Sequence, residues 1–329
     1  MVRKGRCGEM KIGVVTVPLY AKTLPEALRY LKKIGVDAAE VGAGGFPGDK
    51  FCNPKELLGN KQKLRAFKAL FSDCGIELNA LSCHRNPVHP NKEIALKSHE
   101  EFVDTVHLAE ELGIKKVITF SGCPGDSPTS QYPNWVTCPW PEDFLEVLDY
   151  QWNDCLLPYW QKAGQIASES GVRVALEMHP GFCVYNTASM LRIRKEIGNV
   201  MGANLDPSHL IWQGNDIVAS IRELKDAIYH FHAKDCRIDA LNTGRKGALD
   251  TVAYSEEAER SWQFCTIGYG HGQEFWKNVV AALRIAGYDD VLSIEHEDGL
   301  MSEKEGLEKA VLFLKDVIIR EDPSQMWWA

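Results

Sequence analysis

Short apolar segments alternate regularly with amphipathic ones along this chain, and this alternation constrains the fold more than any other feature. Apolar residues spaced three and four apart indicate a helix, whereas a short apolar run beside turn residues indicates a buried strand. KIGVVTV is the first such run, and the amphipathic segment that follows it ends at Gly35. The pattern predicts eight strands, over residues 11–17, 37–42, 76–84, 115–122, 172–178, 200–206, 228–235 and 291–298.

Amphipathic helices are predicted between these strands and after the last one. They cover residues 24–35, 60–75, 92–113, 143–171, 189–198, 216–226, 275–287 and 303–319. The strands are mostly apolar, as expected when both faces of a parallel sheet are buried. Repeated strand-then-helix units predict an α/β protein with a (β/α)8 TIM barrel. The barrel is expected to form a single domain over residues 10–320, between a leader (1–9) and a tail (321–329).

A doubly wound open sheet is the alternative architecture. Such a sheet usually carries a glycine-rich phosphate loop directly after its first strand. This chain has VPLYAKT at that place. The barrel is therefore favoured.

The charge and cysteine content exclude several classes of protein. The chain carries 37 Lys and Arg against 45 Asp and Glu, a net charge of −8, so nucleic acid is not expected as a partner. It has no run of about 18 apolar residues that would predict a transmembrane helix, and its N-terminal apolar stretch is too short for a signal peptide. Ten scattered cysteines without a CxxC pair favour a reduced, cytoplasmic protein over a disulfide scaffold or a cysteine-bound zinc site.

Two long insertions follow predicted strands four and seven, over residues 121–146 and 236–272. Both lie on the face where barrel enzymes keep their active sites. The first insertion carries Trp135 and Trp140. Aromatic side chains at a barrel mouth suit sugar rings or flat aromatic ligands, and the alternative is that they pack the loops together.

Ligand-type side chains stand at the ends of four successive predicted strands. Glu177, Asp206 and Glu295 end strands five, six and eight, and strand seven carries both His230 and His232. The carboxyl ends of barrel strands meet at one face, where converging carboxylates repel one another unless a cation lies between them. Oxygen and imidazole ligands favour Mn²⁺, Mg²⁺, Fe²⁺ or Co²⁺. The sequence therefore predicts a divalent metal site at this face.

The pattern LE…LD…HFHAKD…IE on strands five to eight resembles the sugar phosphate isomerase/epimerase superfamily, and the resemblance extends over about residues 10–319. That group includes ketose 3-epimerases, inosose dehydratases and endonuclease IV-type barrels. The resemblance implies that His209 lies beside the metal and that Lys234 belongs to the family's H-x-K-D ending of strand seven. It implies that the metal ligands are Glu177, Asp206, His232 and Glu295. A nuclease is disfavoured, because a trimetal site needs more ligands and DNA needs a basic path.

Three further features resemble the catalytic α subunit of bacterial C-glycoside deglycosylases: PNWVTCPWPEDF, CHRNPVHP and a histidine two residues past the first ligand. In that family a metal-bound barrel cleaves the carbon–carbon bond of a 3-oxo-C-glycoside, and a small β subunit accompanies it. The resemblance implies a Mn²⁺-dependent lyase, a 3-oxo-glycoside substrate and a small partner subunit. The alternatives are a sugar isomerase or epimerase, an inosose dehydratase-like enzyme with the same metal, and a metal-free sugar-binding barrel.

The chemistry of a 3-oxo sugar suggests a role for His179. Residues i and i+2 of a strand point the same way, so Glu177 and His179 are predicted to share a pocket. The C2 proton of a 3-oxo sugar is acidified, and a metal on the ketone stabilises the charge that develops when a base removes this proton. His179 is the predicted base because the pKa of a free imidazole lies near operating pH. The same metal and base would also serve an epimerisation or a dehydration.

Other side chains on the same face are predicted to contact the substrate. Most are histidines or aromatic residues in the loops that follow the strands, where barrel enzymes bind their ligands. The predicted contacts are His84, Trp135, Trp140, His209, Lys234 and His271.

Overall fold

Parallel strands close into a barrel at the centre of the fold. A computed structural model describes residues 9–19, 23–321, 324 and 326–328. Each barrel strand pairs with its neighbours in chain order, and the last strand closes the barrel against the first. These strands are β1 (Lys11–Val15), β2 (Ala38–Gly42), β3 (Glu77–Ser82), β4 (Lys116–Phe120), β5 (Arg173–Glu177), β6 (Met201–Leu205), β7 (Ile228–Ala233) and β10 (Val291–Ile294). The predicted (β/α)8 barrel is confirmed.

Helices surround the barrel, and most of them bury apolar side chains. They are α1 (Leu24–Ile34), α2 (Pro54–Leu57), α3 (Lys61–Cys74), α4 (Lys92–Leu112), α5 (Asp143–Tyr150), α6 (Leu157–Glu169), α7 (Thr187–Ile197), α8 (Pro207–Ile211), α9 (Ile217–Leu224), α10 (Ala240–Lys246), α11 (Gln273–Ala286) and α12 (Glu303–Val317). No helix in the part of the chain that the structure describes is long and apolar enough to cross a membrane. Residues 1–8 of the predicted leader, and 322, 323, 325 and 329 of the predicted tail, lie outside the described residues.

Helix α1 shows how the local sequence sets these elements. Its start is fixed by a capping box, in which the Glu26 side chain accepts a hydrogen bond from the Thr23 backbone amide. Its end is fixed by Gly35, whose φ of 93° lies in the left-handed region that side chains other than glycine rarely adopt. Leu28 and Leu31, spaced three residues apart, are buried against the barrel.

The long helix predicted over 143–171 is interrupted. Helices α5 and α6 are joined by a π-helical turn, Gln151–Leu156, and Pro158 lies in the first turn of α6. Proline has no amide hydrogen to donate to the preceding turn, so a regular α-helical ladder is not available there. The Gln151 side chain reaches the first long insertion from this turn and donates to the carbonyl oxygen of Asn134 at 2.6 Å.

The strand predicted over 228–235 is two strands. β7 ends at Ala233, and β8 (Asp235–Ile238) pairs antiparallel with β9 (Trp262–Cys265) outside the barrel. The second long insertion is therefore an ordered hairpin, with α10 between its two strands. It stands at the carboxyl end of β7.

Charged side chains fill the amino end of the barrel, and we refer to this group as the amino-end plug. Lys116 is 3% exposed, and its ammonium lies 2.5 Å from Asp290 Oδ2. Asn79 donates to the other Asp290 oxygen at 3.2 Å, and Lys11 pairs with Glu77 at 2.5 Å. Each positive charge in the plug therefore has a negative partner.

Candidate metal centre

The four predicted ligands converge at the carboxyl end of the barrel. Glu177 is the last residue of β5, His232 lies in β7, and Asp206 and Glu295 directly follow β6 and β10. One ligand atom from each of the four lies within 4.8 Å of the others. Glu177, Asp206 and His232 are buried, and the Glu295 side chain is 20% exposed. Residues far apart in sequence thus share one site because adjacent barrel strands end side by side.

The imidazole of His232 is oriented by a second carboxylate. Its Nε2 lies 3.0 Å from Glu40 Oε2, and its Nδ1 lies 3.3 Å from Glu295 Oε2 and 3.5 Å from Glu177 Oε2. A carboxylate can only accept, so Glu40 places a proton on Nε2 and leaves Nδ1 facing the ligand carboxylates. Burial opposes ionisation of His232, but Glu40 and Glu295 outweigh it and raise its pKa well above the usual value. The carboxylates of Glu177 and Glu295 thus favour a positive charge, a proton or a metal ion, at Nδ1 of His232.

Glu40 is a site residue that the sequence analysis missed. It is 1% exposed in β2 and accepts hydrogen bonds from His230 at 2.9 Å as well as from His232. Burial lowers the pKa of His230 to about 4, so this histidine is a neutral donor to Glu40. A lone glutamate in the buried strand segment AAEVG was the available signal, since an unpaired buried carboxylate is costly. Of the two histidines in β7, His232 therefore faces the centre and His230 supports it.

Two histidines hold the Glu177 carboxylate. His84 Nε2 lies 2.9 Å from Oε2, and His209 Nε2 lies 3.0 Å from Oε1. Burial would raise the pKa of Glu177, but these two histidines keep it well below its usual value. His209 also lies 3.3 Å from Asp206 Oδ2. The structure thus places His84 and His209 beside a candidate ligand; their predicted contact with substrate stays a prediction.

Lys234 partly neutralises the carboxylates that converge at this centre. Its ammonium lies 2.6 Å from Glu295 Oε2, 2.9 Å from Glu297 Oε2 and 3.0 Å from Asp206 Oδ2. Burial opposes ionisation of Lys234, but these carboxylates raise its pKa well above the usual value. The lysine is therefore charged, and it bridges the candidate ligands of two strands.

A divalent cation fits this donor set. Asp206 Oδ2 is buried and has no hydrogen bond of acceptable geometry among the described residues, although Lys234 is close to it. Glu177, Asp206 and Glu295 offer carboxylate oxygens and His232 offers one imidazole nitrogen, a combination that suits Mn²⁺, Mg²⁺, Fe²⁺ or Co²⁺. One ammonium does not balance three converging carboxylates, whereas the ammonium together with a divalent ion would.

His179 lies at the edge of this centre. Its Nδ1 donates to the Pro180 carbonyl oxygen at 2.6 Å, which leaves the lone pair on Nε2. Its ring centroid lies 4.0 Å from the ring centroid of His209, and the ring packs edge-on against Phe120. Burial, reinforced by the neighbouring His209, lowers the pKa of His179 to about 3. The imidazole is therefore neutral with a free lone pair, but it is a weaker base than the free imidazole on which the sequence prediction was based.

Two cavities open beside the centre. The inner cavity, of about 390 Å³, is lined by the candidate ligands Glu177 and Glu295 together with His209 and Lys234. The outer cavity, of about 620 Å³, lies next to it, between the β8–β9 hairpin and the loop after β10. His179 lines both of them.

Three predicted substrate contacts lie elsewhere. Trp135 packs edge-on against Tyr185 with ring centroids 5.4 Å apart, and Trp140 is 70% exposed. His271 Nδ1 lies 2.8 Å from Asp235 Oδ1. None of the three lines the inner or the outer cavity. Their contact with a substrate stays a prediction.

The structure defines a (β/α)8 barrel with a candidate metal centre at the carboxyl end of its strands. The chain belongs to the xylose isomerase-like TIM barrel family, whose sequence profile matches residues 28–317. It is 37% identical over 313 residues to the uncharacterized protein YfiH of Bacillus subtilis strain 168, covering 94% of this chain and 99% of that protein.

Two further comparisons involve proteins with a stated activity. An inosose dehydratase from Geobacillus thermodenitrificans strain NG80-2 is 27% identical over 145 residues, which cover 44% of this chain and 47% of that protein. The structure of YcjR from E. coli, a 3-keto-D-glucoside 4-epimerase, superposes with a TM-score of 0.61 at 15% identity, covering 94% of this chain and 100% of that one. At this identity the structural likeness establishes the fold.

Proposed function

We propose that this protein is a Mn²⁺-dependent lyase that acts on 3-oxo-C-glycosides and cleaves the carbon–carbon bond between sugar C1 and the aglycone. The observation that carries the proposal is the convergence of four ligand-type atoms within 4.8 Å beside a cavity that a neutral imidazole, His179, also lines. The likeness in fold to a 3-keto-D-glucoside epimerase agrees with an oxidised sugar as substrate.

The proposed ligands divide their roles by position. Glu177, Asp206, His232 and Glu295 would hold the ion, and Glu40 would fix the His232 ring so that Nδ1 faces it. A divalent ion held by these residues would supply Lewis-acid stabilisation of the charge that develops on the oxidised sugar. The donor set suits several divalent ions, and Mn²⁺ is named because of the resemblance to C-glycoside deglycosylases.

His179 is the proposed base. Its Nε2 accepts the C2 proton, because Nδ1 is already committed to the Pro180 carbonyl oxygen. The electron pair of the C2–H bond becomes the second bond between C1 and C2. The pair of the C1–aglycone bond leaves with the aglycone, which takes up a proton from water. Phe120 and Phe182, with ring centroids 4.2 Å apart, both pack against the His179 ring.

The inner cavity would hold the oxidised sugar. Lys234 and His209 line it. Lys234 donates to Glu295 and Glu297, and its third N–H group can donate to a sugar hydroxyl. Both side chains are buried and held by carboxylates, so they are already oriented before a ligand enters.

An isomerase or epimerase is the second candidate. Glu177 and Glu295 both line the inner cavity, and a pair of carboxylates on one sugar could act as acid and base. An inosose dehydratase-like reaction would use the same metal and the same residues of the inner cavity. A metal-free sugar-binding barrel is opposed by the excess of carboxylates over cations at the centre.

The test is to incubate the Mn²⁺-loaded protein with a 3-oxo-C-glucoside and to measure free aglycone by chromatography. Release of aglycone that stops on chelation with EDTA is the expected result. If no aglycone appears but the C3 proton of a ketose exchanges with D₂O, the epimerase reading replaces the lyase. Unchanged ligand binding and thermal stability after EDTA would favour the metal-free barrel.

A small partner subunit and a cytoplasmic location remain part of the proposal. The cysteines that the structure describes are free of disulfides, and several are buried, which agrees with a reducing compartment. To test whether a second subunit is needed, the activity of the purified chain alone is compared with the activity of the complex isolated from the natural source.

A further inference from the structure

The outer cavity continues the inner one past the proposed base. His179 and Glu297 line both cavities. Glu297 is tied to the candidate centre, because its carboxylate accepts a hydrogen bond from Lys234 at 2.9 Å. A ligand whose sugar fills the inner cavity can therefore extend past His179 into the outer cavity.

Phe264 of β9 lines the outer cavity and contacts two residues of the inner one. On the side of the centre, its ring centroid lies 5.2 Å from the ring of His209 and 4.6 Å from the Lys234 ammonium. On the side of the outer cavity, its ring is nearly parallel to Tyr254, with centroids 5.7 Å apart and planes at 22°. One aromatic side chain thus contacts residues of the inner cavity and residues of the outer cavity.

The β8–β9 hairpin that carries Phe264 is anchored to the barrel. Asp235, which is fully buried, accepts hydrogen bonds from the Gly270 amide at 3.1 Å and from the Trp276 indole at 3.2 Å. Trp262 stacks on Trp212, which directly follows α8, with ring planes 3° apart. A hairpin held at both ends can present a preformed surface to a ligand.

The outer cavity combines an apolar face with a polar edge. Tyr254, Phe264 and Leu300 supply apolar surface, and the carboxylates of Glu257 and Glu297 supply hydrogen-bond acceptors. Arg260 is already engaged, since its Nε donates to the Trp262 carbonyl oxygen at 3.0 Å and its guanidinium lies 4.2 Å from the Tyr254 ring. The arginine therefore supports the aromatic surface. Such a surface suits a ring with an apolar face and hydroxyl groups at its edge.

We propose that the outer cavity is a subsite for a second ring, linked to C1 of the sugar that the inner cavity holds. This inference rests on the proposed function, since it makes the second ring the substituent that the reaction releases. A phenol and a second sugar share the required chemistry, an apolar ring face with hydroxyl groups at the edge. The position of His179 between the cavities places the base beside the C1–C2 bond of such a substrate.

The experiment measures binding of three glucosides that lack the 3-oxo group and are therefore not cleaved by the proposed reaction. Methyl β-glucoside has one ring, phenyl β-glucoside carries an aromatic second ring, and cellobiose carries a second sugar. Affinities for the Mn²⁺-loaded protein are measured by calorimetry. We expect at least one two-ring compound to bind roughly tenfold more tightly than the methyl glucoside, because it gains aromatic contact with Tyr254 and Phe264.

A pair of tyrosine variants tests where this gain arises. Tyr254 and Tyr269 lie in the same insertion, are 59% and 44% exposed, and differ in that only Tyr254 lines the outer cavity. Tyr254→Ala is expected to reduce the tenfold preference to about twofold or less while the affinity for methyl glucoside stays unchanged. Tyr269→Ala is expected to keep the full preference.

The outcomes separate the subsite from the reaction. Equal affinities of the three compounds for the wild-type protein, or a preference that survives Tyr254→Ala, would overturn the subsite even if aglycone release were observed. A preference lost in Tyr254→Ala supports the subsite even if no aglycone is released, in which case the proposed reaction fails alone. Tighter binding of phenyl β-glucoside than of cellobiose would assign a phenolic ring, and the reverse order a second sugar.

Discussion

Both ends of the barrel hold clusters of charged side chains, but only in the amino-end plug does each lysine have its own carboxylate partner. In the amino-end plug, Lys116 pairs with Asp290 and Lys11 pairs with Glu77. At the candidate metal centre one lysine, Lys234, faces four carboxylates among the described residues: Glu177, Asp206, Glu295 and Glu297. The same barrel therefore contains one cluster that needs nothing further and one that still attracts positive charge.

This difference separates structural charge from ligand-binding charge. A buried ion pair usually contributes no more to the free energy of folding than a well-packed apolar pair would. Removing one partner is nevertheless destabilising, because the other charge is then buried without a partner. Converging carboxylates without enough counter-charge are unfavourable unless a cation binds. We therefore expect substitutions at the two ends to affect different properties, stability at the amino end and metal binding at the carboxyl end.

The largest effect is expected at Asp206. Asp206→Asn keeps an oxygen that can cap α8 but removes the charge of a candidate ligand. We expect the affinity for Mn²⁺, measured by calorimetry, to fall by more than about 100-fold, and metal-dependent turnover to be lost. Asp290→Asn, the same chemical change in the amino-end plug, is expected to keep both. Equal loss of metal in the two variants would remove the distinction between the two ends.

The next effect is expected at His179, which is proposed to move a proton and not to hold the ion. His179→Ala is expected to lower turnover by about 10²- to 10⁴-fold, the usual contribution of a general base. Metal content, read by elemental analysis, should stay near that of the wild-type protein. Loss of metal together with activity would show that His179 is a ligand and would extend the metal centre beyond the four residues named here.

A smaller effect is expected at Glu40, whose carboxylate contacts His232 but lies behind it. Glu40→Gln preserves the shape of the side chain and removes its charge. We expect the affinity for Mn²⁺ to fall by roughly 10- to 100-fold, as is typical when the partner of a metal-bound histidine is changed. Turnover at saturating Mn²⁺ should recover most of its wild-type value. An unchanged metal affinity would mean that Glu40 serves only to fill the barrel.

The smallest effect on turnover is expected at Lys116. Lys116→Met removes the buried ammonium of the amino-end plug and leaves Asp290, whose side chain is 40% exposed and can be hydrated. The free energy of unfolding in urea should fall by about 1–3 kcal/mol, less than for a fully buried pair. The affinity for Mn²⁺ should stay within about twofold of wild type. A large loss of metal affinity would show that the two ends are coupled.

The fold was predictable from the sequence because its signals are local. Each strand is a short apolar run, each helix repeats its apolar residues at helical spacing, and residues such as Gly35 mark the ends. The convergence of Glu177, Asp206 and Glu295 followed from topology, since parallel barrel strands end at a common face.

The rest of the site depends on contacts between residues that are distant in sequence. Glu40 meets His230 and His232 across about 190 residues, so nothing beside it in the sequence indicates its partners. The pairing of β8 with β9 across α10 was missed for the same reason. Trp135 and Trp140 were predicted at the barrel mouth from composition, but the path of their loop is set by contacts such as Gln151 with Asn134.

The most direct test of the account is anomalous diffraction from crystals of the protein grown with Mn²⁺. We predict one strong peak at the carboxyl end of the barrel, about 2.0–2.3 Å from side-chain oxygens of Glu177, Asp206 and Glu295 and from Nδ1 of His232. Ligation through Nδ1 is required because Glu40 occupies Nε2. A Mn²⁺-containing crystal without a peak at this position, or with the ion bound to other residues, would contradict the account.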